Sequence, residues 1–252
     1  MKYFLQRFLG LSMLLFFCVP SLAQENEIQR CNADAYMQTL LQNKSYRKAY
    51  EKRQAMIAAK SKDANEKAPC STPVNLPMAI HFQGVTATAA NQACLEQLAI
   101  SQVQVLNDDY QGTNADISEW INTASASFPN VNYSESCLDF CIATSNHPTG
   151  YGLSNGEYAI TYNAFSNSDN ADWAGYINIF VRANTGVLGY SPVGGWADGD
   201  GVTIEAAAFG ILGFNCLDAG PDNETWAYNY GRTLTHEVGH YLNLDHIWGG
   251  GC

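Results

Sequence analysis

The stretch HEVGHYLNLDH, His236 to His246, constrains the chain more than any other. Two histidines four residues apart share one face of a helix, about one turn from each other, which suits two imidazole nitrogens on a single metal ion. His236 and His240 form that pair. Glu237 follows the first histidine directly, so its carboxylate projects beside the metal position rather than onto it, where it can act as a general base toward water. His246 comes six residues after His240, too far to continue the same helical face at the same height. The helix is expected to stop there and the chain to turn back, with Asn243 at the turn. Three of the five histidines fall within these eleven residues, and Leu234, Val238, Tyr241 and Leu242 supply a buried face that leaves the metal face free. Three nitrogen ligands plus a water is the pattern of a catalytic zinc site, whereas a structural zinc normally takes four protein ligands.

The remaining composition describes an exported globular chain. It has 13 Lys and Arg against 24 Asp and Glu, a net charge of -11, which argues against a nucleic-acid partner. Met1 to Ala23 carries Lys2 and Arg7, then the apolar run FLGLSMLLFFCV, then Ser21-Leu22-Ala23, the layout of a secretory signal peptide. The run is short for a bilayer span and no later stretch is long enough, so no membrane span is expected. Of eight cysteines, one (Cys18) lies in the leader, leaving seven, at 31, 70, 94, 137, 141, 216 and 252. An odd count in an oxidising compartment implies a free thiol, an intermolecular bond or a partner outside this chain.

From Gln24 to about Ala68 the chain is polar, rich in Lys, Glu, Gln and Ala, and lacks Gly. It is expected to be partly helical, with Met37, Leu40, Leu41, Tyr46, Tyr50 and Met56 as an amphipathic face too small to fold alone. Ala68 to Pro73 reads as a linker. Leu76 to Phe82 is expected to be the first strand, with Pro77 at its start and His81 as a packed residue. Helical periodicity runs from Asn91 to about Ile121. Leu138 to Ser145, Glu157 to Asn163, Tyr176 to Ala183, an edge segment in Gly186 to Val193, and Gly201 to Gly210 follow as strands. The acids of SNSDNADW with Asp198 and Asp200 are a candidate Ca2+ site, although hydrated turns suit them better, since no complete ligand loop is present. Cys31 bonded to Cys70 or Cys94 is one reading of that cysteine.

The flanking sequence RTLTHEVGHYLNLDHIWGGGC, residues 232–252, resembles the pappalysin family of metzincin zinc metallopeptidases, its cytophagalysin branch in particular. Family members often carry Gly where this chain has Asn243; Asn is the next residue best suited to a left-handed backbone. The resemblance covers most of residues 76–252. It implies an α+β fold, a metzincin-like twisted mixed sheet with a backing helix and an active-site helix. It implies one catalytic Zn2+ held by His236, His240 and His246, with Glu237 as general base. The segment around Leu188-Gly189-Tyr190 would pair with an extended peptide substrate. Residues 24–73 resemble the family's pro-segment and linker, in which Cys31 would act as a latency ligand, its thiolate taking the fourth zinc position. That role stands beside the disulfide reading.

The family also has a lower subdomain with a methionine turn beneath the zinc, and none of the five methionines follows residue 246. The expectation is that the C-terminal subdomain lies beyond this chain, with Cys252 paired to a later cysteine. Taken together, the organisation expected is a signal peptide over 1–23, a pro-segment and linker over 24–73, and the front of a metallopeptidase catalytic domain over 74–252. The function expected is a secreted zinc endopeptidase precursor acting on peptide or protein substrates by zinc-activated water. The alternative is an exported binding or adhesion module on a peptidase-like fold.

Overall fold

A computed structural model of the chain describes residues 29–63, 72–131, 133, 135–211, 216–217 and 228–247. The leader, most of the linker and Cys252 lie outside the described residues. The centre is a seven-stranded sheet made of β1 (Gln29–Cys31), β2 (Val74–Gln83), β3 (Leu138–Ile142), β4 (Ile160–Tyr162), β5 (Ile177–Arg182), β6 (Val187–Tyr190) and β7 (Gly201–Glu205). The strand order is β1-β6-β7-β5-β2-β3, with β4 also beside β2. Every neighbouring pair is parallel except β6 and β7, which run antiparallel. The sheet is thus mixed, as the resemblance implies.

β2 sits in the middle and is buried on both faces from Met78 onward, as a strand covered from both sides is. Met78, Ala79, Ile80 and Phe82 are fully buried. Pro77 is four residues into the strand rather than at its start. It is tolerated because β5 begins to pair with β2 only at Met78, so at Pro77 β2 has β3 alone as a neighbour. On one face, His81 is wrapped by Phe165, Trp173 and Phe180 at ring separations of 4.8–5.3 Å. Asn178 Nδ2 donates to the carbonyls of Trp173 and Asp200, so its Oδ1 accepts from His81 Nε2, and His81 Nδ1 accepts from the Thr161 hydroxyl. His81 is a packed, hydrogen-bonded core residue, as expected.

The other face is covered by α3 (Gln92–Gln111) and α5 (Arg232–Tyr241). α3 lies over β3, α5 over β7 and β6, and the two helices touch. α3 buries Leu95, Leu98, Ala99, Val103 and Leu106 along one stripe, each large side chain adding roughly 1.5–3 kcal/mol of burial. The helix expected to reach Ile121 stops at Gln111. Gly112 takes a left-handed cap (φ 66) and its N–H turns back to the last carbonyls. A short α4 (Ile117–Asn122) follows separately. The Cys94–Cys216 disulfide ties the start of α3 to the segment after β7.

The leading segment forms β1, α1 (Ala33–Leu40) and α2 (Lys44–Asp63). Between residues 44 and 61 of α2, only Tyr46, Ala49, Tyr50, Arg53 and Gln54 are half-buried, one stripe at helical spacing. The expected face continued to Met56, which is instead 53% exposed. Polar contacts made by Arg53 and Gln54 turn the stripe toward the sheet domain, and apolar periodicity does not report them.

Candidate metal centre

α5 is held at its start by neighbours distant in sequence. The buried Gln102 of α3 donates to the Gly231 carbonyl (2.9 Å) and accepts from the Gly210 N–H (2.7 Å). Thr235 donates its hydroxyl proton to Asp109 (2.8 Å) and Arg232 pairs with Asp116 and Asp109. Leu234, Val238 and Tyr241 face inward, so the helix cannot rotate about its axis without exposing them. His236 and His240 are thereby set on the side facing β6 and the following turn.

The helix ends where expected. Asn243 adopts a left-handed conformation (φ 74), its N–H bonds to the His240 carbonyl, and the Leu244 N–H reaches the Gly239 carbonyl. The chain turns back and delivers His246 to the helix. The Nε2 atoms then converge: 3.1 Å from His240 to His236, 3.1 Å from His240 to His246, and 3.3 Å from His236 to His246. His240 Nδ1 lies 2.8 Å from the Leu244 carbonyl and donates to it, which leaves the Nε2 lone pair free to act as a ligand. Burial pulls the His236 imidazole down to about 4, with His240 and His246 adding to the effect, and burial lowers His240 as well. Burial thus favours the neutral form of the His236 and His240 rings, the form a metal needs.

Cys31, from the far end of the chain, joins this group. Its Sγ is 3.5 Å from His240 Nε2, and the four ligand atoms lie within 4.8 Å of one another. Cys31 is a free thiol; of the two partners expected for it, Cys94 bonds to Cys216 and Cys70 lies outside the described residues. Burial and then the Glu237 carboxylate push its thiol up to about 12, so a thiolate at this point requires a compensating positive charge. Ligands on a tetrahedral zinc stand about 3.3 Å apart between nitrogens and about 3.6 Å between nitrogen and sulfur. The donor set fits zinc in both spacing and chemistry.

Glu237 is fully buried beside the imidazoles, with neither carboxylate oxygen hydrogen-bonded among the described residues. Burial pushes its carboxyl up to about 8, with the Cys31 side chain working the other way. A carboxyl poised in that range is suited to accept and release a proton near neutral pH. Its room is provided by Gly189 of β6, where a Cβ would stand 2.8 Å from Glu237 Cγ. A cavity of about 480 Å³ borders the three histidines, with Tyr110, Leu244 and Ile247 in its wall.

The β6 edge expected to receive an extended peptide carries the chain's own β1. Gln29 pairs with Val187 and Cys31 with Gly189 in parallel register, and the Asn32 N–H donates to the Gly189 carbonyl. Asp34 follows, its Oδ2 3.7 Å from His246 Nδ1. Of the acids weighed as a calcium site, Asp200 accepts from the Trp196 and Ala197 N–H groups of its own turn and from the Tyr241 hydroxyl, and Asp172 accepts from the Tyr151 hydroxyl. Sequence reasoning missed Gln102 and Asp34, and it placed Gly189 on the substrate edge without its approach to Glu237. No local signal marks a buried glutamine as a helix anchor, whereas a glycine inside a strand is a cue for close approach.

Residues 161–252 match a peptidase family model described as pregnancy-associated plasma protein-A. Two extracellular metalloproteases of Verticillium alfalfae are 24% identical over 187 and 198 residues, covering 71% and 79% of this chain and 54% and 61% of theirs. One from Colletotrichum graminicola is 24% identical over 181 residues, covering 71% of this chain and 54% of its own. The chain thus spans little more than half the length of the curated relatives it matches. Among solved structures, a mutant of Tannerella forsythia promirolysin superposes with a TM-score of 0.57 at 25% identity, covering 88% of this chain and 72% of that one. Mature mirolysin in complex with a cleaved peptide superposes with a TM-score of 0.50 at 27% identity, covering 71% and 67%.

Proposed function

We propose that this chain, whose residues 161–252 match a peptidase family model, is a secreted zinc-dependent endopeptidase precursor of the pappalysin type. The observation that carries the reading is the convergence of three imidazole Nε2 atoms, 3.1–3.3 Å apart, beside a buried carboxyl with no hydrogen bond among the described residues. In it, His236, His240 and His246 hold the metal. Zinc bound there supplies a Lewis acid for the scissile carbonyl and brings the pKa of a water at the site to roughly 7.

Glu237 is assigned the base: it takes the proton from the attacking water and hands it to the leaving amine nitrogen. The main-chain groups of Val187 to Tyr190 orient an extended substrate by adding it to the sheet edge. Residues 24–73 act as a pro-segment, in which Cys31 occupies the fourth ligand position and β1 the substrate's edge. Support comes from the Cys31–His240 approach and from the greater coverage by the precursor form of mirolysin (88%) than by the mature form (71%). The leader and the extracellular relatives favour export.

The test is zinc stoichiometry together with hydrolysis of a broad peptide pool, before and after removal of residues 24–73. One zinc per chain and cleavage only after removal is the expected result. Metal without cleavage in the processed protein would favour a binding module. His246→Ala should weaken zinc by more than the roughly 10–100-fold typical of losing a ligand's supporting hydrogen bond; unchanged affinity would mean a different third ligand.

A further inference from the structure

The end of α5 is capped by an outside loop. The N–H groups of Gly194 and Gly195 donate to the carbonyls of His240 and Tyr241, both at 2.8 Å. The Tyr241 hydroxyl donates to Asp200, which also accepts from the Trp196 and Ala197 N–H groups. The two glycines are required by this fit: Gly194 has φ 68, and a Cβ would meet Asn243 Oδ1 at 2.6 Å from residue 194 and the Tyr241 ring at 2.0 Å from residue 195. With both N–H groups directed at α5, the Gly194 and Gly195 carbonyls are turned outward, beside the face of Trp196.

Arg53 of α2 sits in that position. Its guanidinium carbon is 3.2 Å from the Trp196 ring centroid, and Nη1 donates to the carbonyls of both Gly194 and Gly195. Nε and Nη2 are enclosed without partners of their own among the described residues, so recognition rests on Nη1 and the stacked face. Burial lowers the Arg53 guanidinium from its ordinary value, and Tyr46, then Asp200 and Asp198, work the other way. The backbone bonds that set the direction of the two carbonyls come from α5 and from the loop itself, so the main-chain half of the receptor is preorganised; the leading segment adds Tyr46 edge-on to Trp196, Met37 Sδ at the Val193 N–H and Gln54 on Asn243.

We propose that Trp196 and the carbonyls of Gly194 and Gly195 form a guanidinium-binding site, filled in this chain by Arg53 and, once α2 leaves, open to an arginine side chain of a polypeptide substrate or partner. A cavity of about 710 Å³ adjoins it, lined among others by Tyr36, Tyr46, Asp169, Trp196, Asp198 and Asp200. Two of those residues belong to the leading segment, so its departure widens the approach for the chain around an incoming arginine. The carbonyls of the site and His240 belong to one hydrogen-bonded unit, which couples the site to the metal centre. An indole face favours a planar guanidinium over a lysine ammonium. The opening of the site on departure of α2 rests on the precursor reading; its existence does not.

The test uses the full chain carrying Arg53→Ala, titrated with N-acetyl-arginine amide and followed by ligand-observed saturation-transfer NMR, which reads every variant, with the Trp196 indole signal locating the bound ligand where Trp196 is present. Saturable binding is expected, weaker by about tenfold for N-acetyl-lysine amide and lost in Arg53→Ala/Trp196→Leu. The unmodified chain should not respond, because Arg53 competes at an effective concentration in the millimolar range. If Arg53→Ala does not fold, Arg53→Met keeps the aliphatic stem and serves in its place. Absence of saturation in the folded variant, an equal response in the unmodified chain, or indifference to Trp196→Leu overturns the site. Removing residues 24–73 from the unmodified chain should open it to the same probe, and to a peptide bearing one internal arginine more tightly than to the amide. Binding to Arg53→Ala but not to the processed chain would keep the site and reject its unmasking; binding of the amide but not the peptide would make free arginine the ligand and reject a polypeptide occupant.

Discussion

Cys31 Sγ stands 3.5 Å from Nε2 of His240, a residue 209 positions later in the chain. β1 carries the thiol along the β6 edge to Gly189, so edge pairing and approach to the imidazoles are one geometric event. A cobalt-substituted full chain should therefore show a thiolate-to-metal charge-transfer band that Cys31→Ser abolishes. A band that persists in the variant would place another thiol, such as the free Cys141, at the metal.

Glu237→Gln preserves shape and removes the base. Turnover of the processed protein should fall by about 10²- to 10⁴-fold, with zinc stoichiometry unchanged. Retained hydrolysis would refute the assignment.

Gly189→Ala places a Cβ 2.8 Å from Glu237 Cγ and 3.1 Å from the Thr203 carbonyl oxygen. The backbone oxygen cannot swing aside as a side chain can. A loss of about 1–3 kcal/mol in denaturant stability is expected, along with reduced turnover at normal zinc content. A variant as stable and active as the parent would show that β6 has slack at this position.

His81 gives the acid limb of the stability curve a defined contribution. Burial pulls its imidazole down from 6.5 to about 4, so between those values the unfolded chain binds a proton that the folded chain refuses. Stability should fall as pH drops from 6.5 toward 4 and, for this group, level off below, a total of about 3 kcal/mol at most. His81→Gln should flatten that window by up to about one proton in the pH dependence of unfolding free energy. An unchanged slope would assign the acid limb to other groups.

The strands were readable as apolar runs, but their limits were not. The stretch Glu157 to Asn163 shortens to Ile160–Tyr162, the residues in register with Ile80 to Phe82, and Ala159 and Asn163 add one hydrogen bond each to β2 at either end. The long helix breaks at Gly112, a residue with a known preference for left-handed caps that a periodicity search passes over. Among the cysteines, seven candidates offered many pairings. The Cys94–Cys216 bond depends on where the segment after β7 passes α3, which no spacing encodes.

The sequence by itself determined the arrangement of His236, Glu237, His240 and His246. Helical rise and one left-handed turn at Asn243 set it within eleven residues, and such local geometry is carried by the backbone. Only the tertiary structure decided what surrounds that arrangement: Cys31 beside His240, Gln102 beneath Gly231, Gly189 against Glu237, Arg53 on Trp196. Closing a loop of two hundred residues costs little more than closing one of fifty, so chain distance does not choose among partners. Packing of the sheet against α3 and α5 does, by fixing which surfaces meet.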